Sequence, residues 1–585
     1  MRDFNSKLAK LKSCLTKGIV ANMKKKVEYI IADEELVKKI SEKFGVSELV
    51  ATIIANRGIV NDDDIEIFLN PTRNNFYDPF DLPDMKKAIE RIEKAIENKE
   101  KTIIYGDYDV DGITSITVLK KFLEERGLET DYYIPNRLDE GYGLNNDAIE
   151  KFAKDNYTLM ITVDCGISGN KEIDLANKLG IETIITDHHE PMSVLPNAYA
   201  IIDPKREDNK YPFRHLAGVG VVFKLIQAIS IHMKLDAKEY LKYLDIVCVG
   251  TISDIVPLFG ENRVIAKLGM KLVEVTRNIG LKSLLKASGY KEVTSTAISF
   301  GLAPRINACG RMGKAEEALK LFLTDDYDVA RRITDELNRF NKERQEKEKV
   351  ILEEALEKIE KEHMNDNNAL VVSGKDWHHG VIGIVASKIT EMFYKPSILL
   401  SIEDGIAKGS GRSIEGFDLH NALCECDDLL QKYGGHEMAV GLSVPKENLE
   451  KFSERIKEIS KNIDLEQLIP VIKIDKILTS KDLEIENIET LKMLEPFGEG
   501  NKNPLFVIKN AKITSIRALS EGKHLKVAVN VDGKNIDVIG FKMGELVDEL
   551  LIGDKIDIAG TIDINYFNGA RSIQVVLKNV IKSVG

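Results

Sequence analysis

Short β-branched apolar runs alternate with amphipathic stretches from residue 86 to residue 202. Strands are predicted over 102–105, 130–134, 158–163, 182–186 and 199–202. Helices are predicted over 86–98, near 114–126, and over 146–154 and 169–179. Runs this short and this apolar suit strands buried on both faces. Their alternation with helices predicts a doubly wound parallel sheet with right-handed crossovers. Residues 220–300 read as mainly helical. Ahead of the sheet, residues 24–85 read as a mostly helical preface, with a helix from Glu34 to Phe44 and another through Ile67-Phe68 that Asp62-Asp63-Asp64 would cap.

The pattern changes twice further on. Residues 328–362 contain no Gly or Pro and are rich in Glu, Lys and Arg, which predicts one helix of about 35 residues and about 50 Å. A second α/β unit follows, with a strand over 369–372, a helix over 382–392 and a strand over 397–400. Beyond residue 465 come β-rich runs at 525–531, 537–541, 555–564 and 572–577, separated by turns at Gly533, Gly553 and Gly569, the spacing of a small barrel. The expected division is 1–85 (N-terminal extension and preface), 86–315 (first α/β domain with a helical insert), 316–362 (connecting helix), 363–464 (second α/β domain) and 465–585 (barrel).

Composition narrows the class. A chain of 585 residues holds several cores, since single cores rarely exceed about 250–300 residues. Hydrophobic residues make up 43% and charged residues 30%, a soluble globular balance, and no apolar run approaches the roughly 20 residues of a membrane span. The first 22 residues carry Arg2, Lys7, Lys10, Lys12 and Lys17 without a continuous apolar stretch, a poor secretory signal. Six scattered cysteines without a CxxC pair fit a reducing cytoplasm and argue against a closed structural zinc site. The net charge of −12 argues mildly against nucleic acid as a partner, which favours basic surfaces. Bound cations would cancel part of it, and Arg305, Arg311 and Lys314 form a local basic cluster.

Four segments deliver metal-ligand side chains after apolar runs: Asp107, Asp109 and Asp111; Asp164; Asp187, His188 and His189; and Asp254. Each alone has a plain structural explanation, such as a solvated turn or a helix cap. Three consecutive strand ends with ligands do not, because open α/β sheets gather function at the carboxyl edge. So many carboxylates in one crevice require cations, and the Asp-rich donor set suits Mn²⁺ or Mg²⁺. Gly106 and Gly112 bracket a turn on which the three acids can splay around two ions. A carboxylate such as Asp164 can bridge ions about 3.5–4 Å apart, the spacing that serves in-line phosphoryl displacement. Acyl transfer fits worse, since no GxSxG elbow is present. GSGRS (409–413) offers the Ser410 hydroxyl, the Arg412 guanidinium and small-residue amides resembling an anion nest.

GDYDVDGITS, TVDCGIS, TDHH and VGTISDIVPL, in that order, resemble motifs one to four of the DHH phosphoesterase superfamily. IANRGI (54–59), PNRLDEGYGLN (135–145), LAGVGVVFKL (216–225), APRINACGRMG (303–313), DWHHGVIGIVASK (376–388), GSGRS and GGHEMAVG (434–441) are similar to the RecJ family of bacterial single-strand-specific DNA exonucleases. The likeness runs from about residue 24 to the end. It implies a metal-dependent exodeoxyribonuclease acting 5′ to 3′ on single-stranded DNA in recombination and repair. It also implies a DHH domain, a DHH-associated domain and a C-terminal OB-fold that stacks bases on aromatics. Phe506, Phe541, Tyr566 and Phe567 are the candidates, the last two just before the Asn568-Gly569 turn. The long helix would be a strut beside a groove for nucleic acid. The implied partners of a monomeric enzyme are a helicase and a single-strand-binding protein. Two other readings are a DHH phosphodiesterase of short RNA oligonucleotides or cyclic dinucleotides, whose relatives lack the barrel, and a non-catalytic DNA-binding scaffold, which would lack the ligands.

On this resemblance Asp111, Asp164, His188 and Asp254 hold one ion, and Asp107, Asp109 and Asp164 the other. His189 faces the reacting phosphate and Asp187 orients it. Arg137 joins Ser410 and Arg412 at the 5′-phosphate, His378 and His436 contact phosphate or sugar, and Asn307 and Arg311 donate to further phosphates. Arg305 fits a buried structural partner equally well. Tyr105 stands where small-substrate relatives carry a further His ligand. Because the likeness starts near Met23, that methionine is expected to be the native start. Mass spectrometry of the native N-terminus tests this, and a peptide containing an intact Met1 ends the idea.

Overall fold

A computed structural model of the chain describes residues 25–136, 140, 143–567 and 569–582. Residues 1–24, Arg137 and Asn568 therefore lie outside the described residues, as does the side chain of Phe567. Two compact units divide the chain. One comprises residues 59–344 and 494–502; the other comprises the described parts of 1–58, 345–493 and 503–585.

The first unit is built on a five-stranded, all-parallel sheet. Its spatial order is Thr130–Tyr133, Thr102–Gly106, Leu159–Val163, Glu182–Thr186, Ala200–Ile202. Numbered along the chain this is the order 2-1-3-4-5, whose switch point lies between Thr102–Gly106 and Leu159–Val163. Both of those strands are buried throughout, as their unbroken apolar runs require. Alternate residues feed two cores. Ile104, Ile161 and Val163 join helices Met85–Asn98, Val110–Glu124 and Gly218–His232. Ile103, Tyr105 and Met160 join helices Asn146–Lys154 and Asn170–Lys178 on the other face.

The rest of this unit is helical, as expected for 220–300. Helix Leu244–Ser253 is buried from Leu244 to Ile252, and its C-cap is Asp254, so the fourth ligand arrives from a helix end and not from a strand. Two buried cations tie distant segments here. Lys224, on helix Gly218–His232, donates to Glu261 (2.8 Å) and to the Tyr77 carbonyl (2.6 Å). Arg263 stacks 3.6 Å from the Phe68 ring centroid and donates to the Phe68, Leu494 and Glu495 carbonyls, which holds 494–502 in this unit.

The second unit contains a five-stranded sheet in the order Lys432–His436, Ala439–Pro445, Ile406–Arg412, Ser397–Glu403, Leu370–Lys375, with only the last pair parallel. Helix His379–Phe393 packs against it. The nest reading of GSGRS is corrected: residues 409–412 belong to strand Ile406–Arg412, registered on both sides against Ser397–Glu403 and Ala439–Pro445. Their amides serve the sheet ladder and do not ring an anion.

The C-terminal region is a barrel, with one strand more than the pattern predicts. Strand Phe506–Leu519 pairs with both His524–Val531 and Lys555–Phe567, while Ala570–Lys582 lies between Lys555–Phe567 and Lys534–Gly540. The closed order 1-2-3-5-4-1, with one parallel pair, is that of an OB-fold. Register shifts at 508–511 and 513–515, and Asn510 at φ 52°, break the period-two pattern of the first strand.

The preface is also corrected. Lys26–Tyr29 is a strand paired in parallel with Val471–Ile474, and the preface divides between the two units at residue 58. Its helices Glu34–Phe44 and Asp62–Leu69 are present. Asn61 is the N-cap of the second, and the three aspartates fill its first turn, where the helix dipole favours them. Helix Tyr327–Lys361 runs 35 residues with Ile333 and Leu337 in one core and Ile351 and Ile359 in another.

Replacing Lys224 with Met leaves the Glu261 carboxylate buried without its cation. The cost expected is about 3–5 kcal/mol, read by calorimetry as a lowered midpoint for the transition of this unit. An unchanged midpoint would show that the pair does not hold helix Gly218–His232 in place.

Candidate metal centre

Asp107 and Asp164 follow the two strands that flank the switch point. The three acids of the first motif straddle a strand-to-helix junction. Asp109 caps helix Val110–Glu124, its Oδ1 accepting from the amides of Asp111 (2.9 Å) and Gly112 (3.1 Å). Asp111 sits buried in the first turn. Its carboxylate accepts from the Gly218 amide at Oδ2 (2.6 Å) and the Val219 amide at Oδ1 (2.8 Å). These are the first amides of helix Gly218–His232, so the helix N-terminus neutralises part of the Asp111 charge. A β-carbon on Gly218 would lie 2.7 Å from Asp164 Cβ and 3.0 Å from Asp111 Oδ2, so only glycine lets the two carboxylates approach this helix end.

Asp164 adopts the left-handed conformation at φ 58°, a strained state that clusters at functional positions. Beside it, His188 Nε2 lies 3.2 Å from Asp164 Oδ1, 3.7 Å from Asp254 Oδ2 and 3.8 Å from Asp111 Oδ2. Asp187 is buried and points the other way. Its Oδ2 accepts from the Ile167 amide, and its Oδ1 lies 2.6 Å from His189 Nδ1 and accepts from the His188 and His189 amides. It thereby ties the loop after Asp164 to the loop carrying both histidines.

Electrostatics mark the cluster as incomplete without cations. Burial, followed by Asp109, pushes Asp111 up to about 7. Burial and then the crowd of Asp111, Asp109, Asp107 and Asp254 raise Asp164 well above the carboxylate range. Asp254 rises too, through burial and then Asp111 and Asp109. Burial, then His189, lowers His188 to about 3, so its imidazole is neutral and able to ligate. Burial opposes the charged form of His189, but the Asp187 hydrogen bond prevails and holds its pKa above the ordinary value.

The residues fit a pair of divalent ions. His188 Nε2 and Asp254 Oδ2 are buried and make no hydrogen bond, although each faces carboxylates. Ligand atoms converge within 4.8 Å in three sets: Asp107, Asp109 and Asp164; Asp111, His188 and Asp254; and Asp164, His188 and His189. An oxygen-rich set with one imidazole suits Mn²⁺ or Mg²⁺.

Helix Ala303–Arg311 closes over the acidic loop. Asn307 Oδ1 accepts from the Val110 amide (3.3 Å), which assigns its side-chain amino group to any further contact, and Arg311 occupies the last turn. Arg305 donates to Asn338 Oδ1 (2.7 Å) and to the Gly301 carbonyl, a structural role. Tyr105 is buried and donates to the Gly143 carbonyl (2.9 Å), anchoring the end of the PNRLDEGYGLN segment. The amides of Gly218 and Val219 and the Asn307 clamp were not assigned from the sequence. The glycine of LAGVG was the only signal for the first.

The second unit gathers another predicted set. Arg412, Ala439 and His436 are in register across three neighbouring strands, and Ser410 lies two residues before Arg412 on the same face. A β-carbon on Gly383, in helix His379–Phe393, would lie 3.3 Å from both Arg412 Nη2 and Ser410 Oγ. His378 caps that helix, its Nδ1 accepting from the Gly380 amide (3.1 Å), so the neutral ring carries its proton on Nε2. Among the barrel aromatics Phe506 is core at 2% exposure, whereas Phe541 and Tyr566 are exposed at 57% and 59%. Tyr566 also donates to Glu489 (3.1 Å).

Comparison with known proteins agrees along the chain. Residues 101–251 match the DHH family N-terminal domain, residues 366–462 the DHHA1 domain and residues 474–579 the RecJ OB domain. The single-stranded-DNA-specific exonuclease RecJ of Bacillus subtilis (strain 168) is 39% identical over 557 residues, covering 94% of this chain and 70% of the relative. Its namesake from Escherichia coli (strain K12) is 33% identical over 527 residues, covering 85% and 90%. The crystal structure of RecJ in complex with Mn²⁺ from Thermus thermophilus superposes with TM-score 0.83 at 29% identity, over 96% of this chain and 80% of that one. The Mg²⁺ complex gives TM-score 0.77 at 27% identity, over 96% and 79%.

Carboxyls whose native pKa exceeds the unfolded value of about 3.9 bind extra protons in the metal-free fold. Their stabilisation is present at low pH and is lost as pH rises through the native value, about 7 for Asp111. The metal-free protein should therefore melt lower at pH 8 than at pH 5.5, and Mn²⁺ should raise the melting temperature more at pH 8, because ligands must be deprotonated. Calorimetry with EDTA or Mn²⁺ at both pH values checks this. A Mn²⁺ effect that shrinks with rising pH would contradict it.

Proposed function

Since the chain belongs to the RecJ family, we propose that it is a metal-dependent exonuclease that hydrolyses single-stranded DNA from the 5′ end. One observation carries the reading: Asp164 and His188 are shared among converging ligand sets at the sheet's switch point. Asp107, Asp109 and Asp164 would hold one ion, and Asp111, Asp164, His188 and Asp254 the other. When bound, two such ions neutralise charge on a phosphodiester and lower the pKa of water.

The chain's own groups do the positioning. Asp187 lies 2.6 Å from His189 Nδ1 and favours its protonated form, so the ring's Nε2 would face a phosphate oxygen and, when protonated, steady developing charge there. Ser410, Arg412 and Arg137 would bind the terminal 5′-phosphate through hydroxyl and forked guanidinium donors. His378, with its proton on Nε2, and His436 would donate to phosphate or sugar oxygens, and Asn307 and Arg311 to phosphates along the strand. Exposed Phe541 and Tyr566 suit base stacking on the barrel.

The barrel separates this chain from phosphodiesterases of short oligonucleotides, and the complete acidic cluster separates it from a scaffold. Such an enzyme would act in recombination and repair, with a helicase and a single-strand-binding protein as its partners. None of the five described cysteines forms a disulfide, which suits a reducing cytoplasm, and no described helix is long and apolar enough to cross a membrane.

Asp164→Ala should lower hydrolysis of 5′-labelled single strands by at least about a thousandfold in Mn²⁺ while strand affinity changes little. Parallel loss of binding and of the folded circular dichroism spectrum would make the residue structural. Blunt duplex and 3′-phosphorylated controls test strand and end preference in the same assay.

A further inference from the structure

One rim of the metal centre carries side chains that the assignment above leaves unused. Ile255 directly follows Asp254, has φ 62° and is 71% exposed. A β-branched residue in the left-handed region is a steric outlier, and here it presents its apolar surface to solvent. Four residues further along the same segment is Phe259, whose ring lies 5.6 Å from that of the exposed His215, at 66°. Buried Phe213 supports both from behind, at 5.7 Å and 5.8 Å.

Two cations flank this pair. Arg214 Nη2 donates to the Lys205 carbonyl (2.6 Å). The Lys205 ammonium lies 3.4 Å from the carboxylate of Glu190, which adjoins His189 and is 69% exposed. Burial and then both cations hold the His215 imidazole below its usual pKa, which keeps the ring neutral and suited to stacking. The rim is continuous with the metal centre. Lys205 is within electrostatic reach of Asp254 and His188, and Gly218, three residues after His215, donates to Asp111.

Exposed aromatic faces beside cations match the chemistry of a nucleotide, whose base stacks and whose phosphate pairs. We infer that Lys205, Arg214, His215, Ile255 and Phe259 form a nucleotide subsite next to the reacting phosphate. In it one base of the strand stacks on the His215–Phe259 pair against Ile255, and the adjoining phosphate replaces Glu190 as the partner of Lys205. The inference rests on the exonuclease reading and adds to it a strand contact within the metal-binding unit.

The test uses twelve-nucleotide single strands with one abasic position moved along the sequence, cleaved by the full-length enzyme and by His215→Ala. In the native enzyme an abasic residue at one position should lower kcat/KM about tenfold. His215→Ala should show a similar loss on the intact strand and no further loss at that position. Losses that multiply at every position, or an intact-strand rate equal to that of the native enzyme, would overturn the stacking site. Lys205→Gln, which removes the charge and leaves a polar side chain one bond shorter, should reduce the slope of log KM against log salt by about 0.7, the value for one single-strand phosphate contact. An unchanged slope would show that the ammonium serves only Glu190. A native enzyme that degrades no single strand in Mn²⁺ or Mg²⁺ would bring down the exonuclease reading and the subsite together, whereas the variant results bear on the subsite alone.

Discussion

Buried carboxylates within a few ångströms of one another repel, and the first unit is organised around answering that repulsion. Part of the answer is fixed backbone architecture. The N-terminal amides of helix Gly218–His232 bond both oxygens of Asp111, bringing fixed positive dipole into a site with no lysine or arginine among its ligand groups. That contact requires glycine at 218, because a β-carbon there would meet Asp164. It also requires the helix to be held from behind, which the buried Lys224–Glu261 pair does. The rest of the answer must be mobile cations, since Asp164 and Asp254 receive no comparable compensation and rise far above the carboxylate range. Strain at Asp164 is retained for the same reason: the left-handed backbone turns its side chain toward His188 and the other carboxylates.

The ligands were legible because each sits where an apolar run ends, a signal local in sequence and tied to strand geometry. Asp107, Asp164 and His188 could be placed at one sheet edge from that signal alone. Asp254 could be named but not placed, since its run is a buried helix, and a short apolar run does not distinguish helix from strand. What escaped altogether was support from far along the chain. Gly218 reaches Asp111 across 107 residues and Asn307 reaches Val110 across 197. Neither leaves a periodic trace.

The fold shows the same division. The five parallel strands were read to within a residue or two, because burial on both faces produces continuous β-branched runs. Strand Ile406–Arg412 was missed because its glycines look like a loop. They are needed for packing: a β-carbon on Gly409 would lie 1.8 Å from the Leu399 carbonyl oxygen on the neighbouring strand. The first barrel strand was missed for another reason. Its two register shifts let one long strand serve two neighbours and close the barrel, at the expense of the alternation that reveals strands. Positions under the tightest packing and closure constraints are those where local pattern says least.

The charge balance follows from this separation of tasks. A net charge of −12 looks hostile to a polyanion only if charge is treated as uniform. The acidic side chains at the sheet edge are turned inward on one another and are matched to divalent cations, while guanidinium groups such as Arg412 stand on other elements. A site that must bind both a cation and an anion cannot be uniformly basic, since fixed positive charge within the ligand cage would compete with the metal. Keeping lysine and arginine out of the ligand set, and supplying backbone dipole at Asp111 instead, resolves that conflict. It also explains why the acidic motifs could be read from strand ends alone, whereas the candidate strand-contact residues, single side chains scattered over many elements, were named only through the family resemblance.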